Sequence, residues 1–405
     1  MSHAEREMPS VIAALPFWQR VLCRWADRVV AGRLTLEFEG YGEHVAEGRL
    51  PGPHATLCIR NAKPVLRILT GGTLGFAQAF IDGDLDSPDI GAVAELALAN
   101  EKQFGKILSS SMLFESLARL RHKLRRNSKK GSRRNIAFHY DLGNAFYSQW
   151  LDRTMTYSSA LYEAPGLSLA DAQEAKYARI VRELGIGPDD HVLEIGCGWG
   201  GFAEHAIRST GCRVTGLTLS VEQAKFARER LEKAGLSDRV DIRLEDYRDC
   251  RGQFDKIVSI EMFEAVGEEN WPVYFKAVHE RLAPGGKAMI QTITIDESRF
   301  EQYRRSADFI QTYIFPGGML PSVTIFERDA TRAGLEVGDR FRFGRDYDRT
   351  LVAWDNAFTH NWSSIEPLGF DRRFYRMWRL YLHYCAVGFR VGRIDVVQFR
   401  LDKPA

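Results

Sequence analysis

The strand-like run Val192-Leu193-Glu194-Ile195 leads into Gly196-Cys197-Gly198-Trp199-Gly200-Gly201 and then into the helix-forming FAEHAIRS. Glycines at these positions allow a tight turn and let a ligand approach backbone N–H groups at a helix N-terminus. The literal G-x-G-x-x-G spacing also fits a dinucleotide, so the neighbouring residues must discriminate. Glu194, two residues before the first glycine, can reach a ligand ammonium. The following strand ends in Leu217-Thr218-Leu219-Ser220, without the acid that a NAD site places there for its ribose. A cation-bearing nucleoside such as S-adenosylmethionine (SAM) suits this loop better than a pyrophosphate does.

The elements around this loop alternate. Helix SLADAQEAKYARIVREL precedes strand DHVLEIG, and helix GGFAEHAIRS precedes strand CRVTGLTL. Helix VEQAKFARERLEKAG leads to strands VDIRL and FDKIVSI, followed by helix NWPVYFKAVHERL and strand GKAMIQTIT. Repeated strand–helix units predict an α/β fold, a Rossmann-like and mostly parallel sheet covered on both faces. After Ile295 an irregular insertion rich in charge and aromatics is expected to about residue 335. A largely helical, aromatic end (Trp354, Phe358, Trp362, Phe374, Tyr375, Trp378, Tyr381, Tyr384) precedes a last strand, VVQFRL.

Residues 1–120 read as a separate α+β unit, with strand-like LTLEFEG and ATLCIR and a short helix broken from a longer one within GFAQAFIDGDLDSPDIGAVAELALAN. Residues 121–135 read as a basic linker, and 136–405 as the catalytic domain. Between Arg119 and Arg134 nine residues are basic and none is acidic. This stretch is either a solvated connector or a tether to anionic headgroups, at about 1 kcal/mol per basic residue near a membrane surface. No aromatic residues interleave with it, which argues against nucleic acid.

With 405 residues, 45% of them hydrophobic, the chain can build more than one core. Its net charge of +2 excludes a polyelectrolyte. No uninterrupted apolar run reaches the roughly 18 residues of a membrane span, and the N-terminus lacks the pattern of a secretory signal. The six cysteines form no CxxC pair, so reduced cytoplasmic thiols and no metal site are expected.

Seven segments in order then carry a resemblance: HYDLGNAFYSQWLDRTMTYSSALY, VLEIGCGWGG, GLTLSVEQ, EDYRD, IVSIEMFEAVG, YIFPGGMLPS and DYDRTLVAW. Together, over about residues 136–400, they resemble the cyclopropane fatty acid synthase and mycolic acid methyltransferase family. The first unit resembles the lipid-interacting domain of the phospholipid-acting members. The resemblance implies SAM as cofactor, held around Tyr157, Ser158, Gly196, Gly198, Thr218, Leu219, Gln223, Asp246, Tyr247 and Ile260, alongside the Glu194 and Gly200 of the loop. Gln223 would take the ribose and Ile260 would pack on the adenine. The implied partners are an unsaturated acyl chain and a phospholipid membrane surface, with a homodimer in keeping with membrane-bound relatives. The implied location is the cytoplasmic face of the membrane, and YIFPGG (Tyr313–Gly318) would line the acyl tunnel.

An alkene is a weak nucleophile. It must be held against the sulfonium methyl in a dry pocket, and a base must afterwards remove a proton. The resemblance implies a bound bicarbonate as that base, held by a cysteine, a glutamate, a histidine, a tyrosine and a backbone amide. Glu264, Tyr347 and the Ile293 amide match, whereas Ser159 replaces the cysteine, Gln291 the histidine, and Ala265 a second histidine. Glu261 stands where the family usually has glycine. The expectation is that the Glu261 carboxylate occupies the anion position as a built-in base, its pKa interlocked with that of Glu264, rather than pairing with Arg304 or Arg305. A rebuilt base leans the product toward an exocyclic methylene or methyl branch over a cyclopropane. The competing readings are a SAM enzyme acting on a soluble small molecule, a catalytically inactive SAM- or lipid-binding protein, and, least favoured, a NAD oxidoreductase.

Overall fold

The computed structural model describes residues 15–108, 142–305 and 308–405. The basic stretch 119–134 and the first three residues of the HYDLGN segment lie outside the described residues. The chain divides into two compact units, Met1–Leu117 with Asp371–Val387, and Ala118–Phe370 with Gly388–Ala405.

In the first unit, α1 (Phe17–Ala26) precedes β1 (Ala31–Phe38), β2 (Gly42–Glu47) and β3 (Leu50–Ile59). Then come α2 (Lys63–Ile81), β4 (Leu85–Asp86), α3 (Ile90–Ala99) and α4 (Glu101–Leu108). The sheet order is β2-β1-β3-β4, with β1 and β3 parallel. Asn100, fully buried, ties this unit together: its carbonyl accepts from the Val30 and Ala31 amides, and its NH2 donates to Ala31 O and Leu96 O. The helix before the turn is longer than its sequence suggests, because 63–81 continues across a kink at Gly72, whose φ of 55° a side chain would strain. By length and composition α2 alone among the described helices could cross a membrane, and half of its apolar stretch is buried in the protein.

The second unit holds a seven-stranded sheet built from β5 (His191–Ile195), β6 (Arg213–Thr218), β7 (Val240–Leu244) and β8 (Phe254–Ile260), with β9 (Leu282–Ile295), β10 (Glu336–Arg342) and β11 (Ile394–Asp402). Its order is β10-β11-β9-β8-β5-β6-β7. Strands β5 to β9 run parallel, while β11 is antiparallel to both β9 and β10. Alternate residues feed two cores, as the pleat requires. Leu193, Ile257 and Ile290 enter one with Phe263, Trp271 and Phe275, while Val192, Val258 and Met289 enter the other with Phe202, Ala227 and Leu231.

The helices are α5 (Asn144–Tyr147), α6 (Leu169–Leu184), α7 (Gly201–Thr210), α8 (Val221–Lys233), α9 (Trp271–Arg281), α10 (Glu297–Tyr303), α11 (Val323–Arg332), α12 (Gly344–His360), α13 (Trp362–Ile365) and α14 (Arg372–Arg390). Ser168, Ser220 and Ser322 cap α6, α8 and α11 by accepting from the backbone three residues on. The region after Ile295 is therefore more regular than expected, and β10 is a strand that the sequence pattern hides. From β5 the chain winds outward through β6 and β7, then returns to add β8 and β9 on the other side. That reversal opens a crevice at the carboxyl ends of β5 and β8, where open α/β sheets bind ligands.

Candidate active site

A pocket of about 150 Å3 occupies the crevice. Gly196, Gly198 and Gly200 all have positive φ, at 86°, 52° and 81°, so the loop after β5 depends on glycine. A Cβ on Gly196 would meet Met262 Cγ at 2.8 Å. Of the expected cofactor residues, Tyr157, Ser158, Glu194, Gly196, Gly198, Thr218, Leu219, Gln223, Asp246, Tyr247 and Ile260 all line the pocket. Gly200 does not. It sits at the start of α7, where a Cβ would meet Ala227 Cβ of α8 at 3.1 Å, so its need for glycine is helix packing rather than ligand contact.

The lining is prepared for a ligand with an ammonium, a ribose and a base. Glu194 is buried, and its Oε2 has no hydrogen-bond partner. Burial pushes its pKa up to about 8, against the pull of Arg230 and Lys176. An unpartnered buried carboxylate oxygen facing a pocket is costly unless a donor arrives with the ligand. The Thr218 hydroxyl donates to Gln223 Oε1 at 2.9 Å, leaving the Gln223 NH2 as the end available to a ligand hydroxyl. Asp246 accepts from the Arg248 backbone N–H and twice from its guanidinium, which fixes the turn after β7. Tyr157 stands in an aromatic cluster with Tyr147, Trp150 and Trp354, at ring distances of 5.3–5.5 Å. These residues fit SAM.

Beside this wall lies Glu261, whose carboxylate is the centre of the site. Its Oε1 accepts from the Ser159 backbone N–H (2.8 Å) and Gln291 Nε2 (2.8 Å), and its Oε2 accepts from the Tyr347 hydroxyl (2.5 Å). Neither Arg304 nor Arg305 pairs with it; both bond Glu301, and Arg304 also reaches Glu268. Glu261 has a φ of 48°, left-handed backbone that a non-glycine residue rarely adopts. A strained acid held by three donors at a ligand crevice is where function is to be sought. Withdrawal from water raises its pKa, opposed by the Tyr347 hydrogen bond, the charge of Lys176, and the Ser159 and Gln291 bonds.

Glu264 is held separately. Its Oε1 accepts from the Ile293 N–H (2.5 Å) and the Thr292 hydroxyl (3.0 Å), and its buried Oε2 has no partner. Burial first, and then the charge of Glu261, push its pKa up to about 8. The Ile293 amide expected to hold a free anion is thus occupied by Glu264. Ser159 also differs from expectation, because its hydroxyl donates to Ala160 O and only its backbone faces Glu261. The segment expected to line an acyl tunnel, Tyr313–Gly318, leads straight into Met319, whose N–H donates to Glu264 O at 2.9 Å. Cys197 is buried, which drives its thiol pKa well up and makes it inert.

Sequence reasoning missed a buried cation. Lys176 is fully buried and donates to Ser158 Oγ (2.6 Å) and Gln173 Oε1 (2.7 Å). Burial lowers its pKa, against the opposing charges of Glu261, Asp152 and Glu194. The signal was present: Ala172, Lys176, Ile180 and Leu184 share one helical stripe, and a lysine in an otherwise apolar stripe needs a partner.

Comparisons with known proteins agree with this geometry. The family model described as mycolic acid cyclopropane synthetase matches residues 127–399. A tuberculostearic acid methyltransferase of Mycobacterium tuberculosis is 39% identical over 343 residues, covering 83% of this chain and 80% of the relative. The cyclopropane-fatty-acyl-phospholipid synthase of Escherichia coli is 36% identical over 346 residues, covering 85% and 87%. The crystal structure of mycolic acid cyclopropane synthase CmaA1 complexed with SAH and CTAB aligns with a TM-score of 0.63 at 32% identity, covering 67% of this chain and 98% of that one. With a SAM crevice at the sheet reversal and an acid-centred site beside it, the chain belongs to the cyclopropane synthase family of SAM-dependent methyltransferases, whose chemistry is methyl or methylene transfer to fatty acyl chains.

Proposed function

We propose that the protein methylates the double bond of unsaturated acyl chains in membrane phospholipids, using Glu261 instead of a bound bicarbonate as its base. The observation that carries the reading is the Glu261 carboxylate itself, held by the Ser159 amide, Gln291 and Tyr347 on a left-handed backbone. Two of the side chains that the resemblance assigns to an anion, Gln291 and Tyr347, thus converge with the backbone of a third such position, Ser159, on a carboxylate already built into the chain.

Bound SAM supplies an electrophilic methyl group, to which the alkene π electrons form the new C–C bond as sulfur keeps the S–C electron pair. Glu194 would bind the ligand ammonium and Gln223 the ribose, and Ile260 would pack on the adenine. The aromatic faces of Tyr157 and Trp354 favour a cation developing on the acyl chain. With Oε1 of Glu261 already facing two N–H donors, Oε2 is the oxygen free to take a proton, sharing it with Tyr347. Proton loss from the added methyl with the cation on the adjacent carbon closes a cyclopropane. A 1,2-hydride shift first moves the cation onto the methyl-bearing carbon, and the same proton loss then leaves an exocyclic methylene. We favour the exocyclic methylene, which becomes a methyl branch only when a separate hydride donor reduces it. The relative named as a tuberculostearic acid methyltransferase supports it, its name specifying methyl transfer to a fatty acid.

The first unit would meet the lipid surface from the cytoplasmic side, as a peripheral enzyme. Phe17, Leu66 and Leu69 are large exposed apolar residues of α1 and α2, and the 119–134 run supplies basic charge for anionic headgroups. The test uses purified protein, SAM and vesicles of monounsaturated phospholipid, with and without bicarbonate, and reads acyl products by fragmentation mass spectrometry. One added carbon without bicarbonate is the expected result. Activity only with bicarbonate overturns the base assignment, and no product with phospholipid but turnover of a soluble acceptor overturns the substrate.

A further inference from the structure

The hydrogen bonds that end on Glu261 begin on a guanidinium three links away. Arg179 Nη1 of α6 donates to Gln398 Oε1 of β11 at 2.6 Å. Gln398 Nε2 donates to Gln291 Oε1 of β9 at 3.0 Å, and Gln291 Nε2 donates to Glu261 Oε1 at 2.8 Å. Gln291 and Gln398 are fully buried, and Arg179 is 6% exposed. The two glutamines are register partners in the β9–β11 pair, so their side chains stand on one face within reach of each other.

An amide relay can run in either direction, because flipping each carboxamide exchanges its donor and acceptor ends. Here one end is closed. Arginine has donors and no acceptor, so Gln398 must turn its carbonyl toward Arg179. Its NH2 then faces Gln291, whose own NH2 faces Glu261. Reversing the relay would set the Gln398 NH2 against the guanidinium, donor to donor, in a buried site.

We propose that Arg179 is a positioning residue for the base: it fixes the direction of the Gln398–Gln291 relay, so that Glu261 Oε1 meets the Gln291 NH2 as a second donor beside the Ser159 N–H. Oε1 therefore stays unprotonated, and the proton is taken up on Oε2 opposite Tyr347. Without the guanidinium both glutamines can flip, and a protonated Glu261 can donate from Oε1 into the reversed relay. The protonated, inactive acid gains a partner that it lacks in the native chain. The proposal rests on the reading of Glu261 as base.

Other charges bear on the same acid. Lys176 of α6 favours its ionised form, Glu264 opposes it, and Tyr347 of α12 donates to it. Arg179 is itself held by Asp339 (3.3 Å) and stacks on Phe341 at 4.0 Å, both on β10, with Glu183 and Arg182 nearby.

The experiment measures the pH dependence of kcat for the full chain with SAM and monounsaturated phospholipid vesicles. Arg179→Met keeps the stem over Phe341 and removes the donor. The expected result is an acid limb moved up by about one pH unit, the size of losing one oriented hydrogen bond to a carboxylate, with kcat regained at high pH. Arg179→Lys, which restores a donor, returns the limb toward the wild-type position. Gln398→Met cuts the relay without touching the contacts of Arg179 to β10 and gives the same shift, which serves if Arg179→Met folds poorly. Asp339→Asn leaves the Arg179–Gln398 bond in place and the limb unmoved. An unshifted limb in both Arg179→Met and Gln398→Met overturns the proposal, as does a loss equal at every pH that lysine does not restore. Glu261→Gln run in parallel separates the two failures. If it stays active, the base reading falls; if it is inactive while the Arg179→Met limb matches wild type, only the relay falls.

Discussion

Glu261→Gln is the substitution whose consequence the structure works out most fully. Glutamine is close to isosteric with glutamate, and the pocket tells it which way to turn. The Oε1 position faces the Ser159 N–H and Gln291 Nε2, so the new amide must place its carbonyl there. Its NH2 then takes the Oε2 position, where the Tyr347 hydroxyl can rotate from donor to acceptor. Every hydrogen bond survives, the charge goes, and the atom that takes the proton becomes a donor. Charge-assisted bonds worth about 1.5–3 kcal/mol each are exchanged for neutral ones, while the cost of holding an anion away from water is removed. The two nearly cancel, and stability should change by no more than about 2 kcal/mol. Catalysis should not survive, because a positioned base contributes about 10²- to 10⁴-fold. At 1.36 kcal/mol per tenfold in rate, this is a barrier increase of about 3–5 kcal/mol. The assay is single-turnover formation of alkylated acyl chain in bicarbonate-free buffer, with the thermal midpoint measured alongside. Glu261→Gly is the companion: it relieves the 48° φ and opens the space that the carboxylate filled. It should regain part of the lost activity with added bicarbonate and none without it. A Glu261→Gln enzyme that folds normally and keeps its rate within about threefold would refute the assignment, since no general base is lost so cheaply.

Other outcomes follow from the same pocket. With its pKa at about 8, Glu194 is roughly nine-tenths protonated at pH 7, and an arriving ammonium should expel that proton. Calorimetry of SAH binding in buffers of different ionisation enthalpy should show release of close to one proton, abolished in Glu194→Gln; no buffer dependence in the wild type would refute the placement of the ammonium. Gly196→Ala puts a Cβ at 2.8 Å from Met262 Cγ on a backbone of φ 86°. It should weaken SAH binding by about 5- to 150-fold through strain of about 1–3 kcal/mol, whereas unchanged affinity would show that the loop tolerates a side chain there. Glu264 has a native pKa raised from 4.5 to about 8, so its contribution to stability is full below about pH 4.5 and lost as pH rises through about 8. The thermal midpoint of Glu264→Gln relative to wild type should therefore rise between about pH 5 and pH 8.5, and a falling difference would contradict the sign.

The sheet of the second unit was legible because parallel strands buried on both faces leave short apolar runs, punctuated by the glycine loop after Ile195. That the residues expected around SAM would line one pocket was legible too, Gly200 apart, since the loop and the ends of β6, β7 and β8 converge wherever this topology forms. Strand β10, EVGDRFR, was not legible. It is an edge strand whose exposed residues alternate with half-buried ones, with none fully buried, and pairing with β11 rather than its own composition makes it a strand. The short helix expected within GFAQAFID extends back to Lys63 as α2, because Gly71, Gly72 and Gly75 are all buried in packing and the backbone leaves helical geometry only at Gly72.

An acid at position 261, with serine and glutamine at 159 and 291, can be read directly from the chain. Those residue types were enough to suggest that the anion site had been rebuilt. How it is rebuilt emerges from the folded arrangement: Ser159 contributes its backbone and not its hydroxyl, Glu264 takes the Ile293 amide, and Lys176 and the Arg179–Gln398–Gln291 relay stand behind the carboxylate. The reason is that hydrogen-bond direction and burial depend on which strands and helices become neighbours. Residues 179, 291 and 398 are more than a hundred positions apart and meet only through the β9–β11 pairing and the helix packed against it.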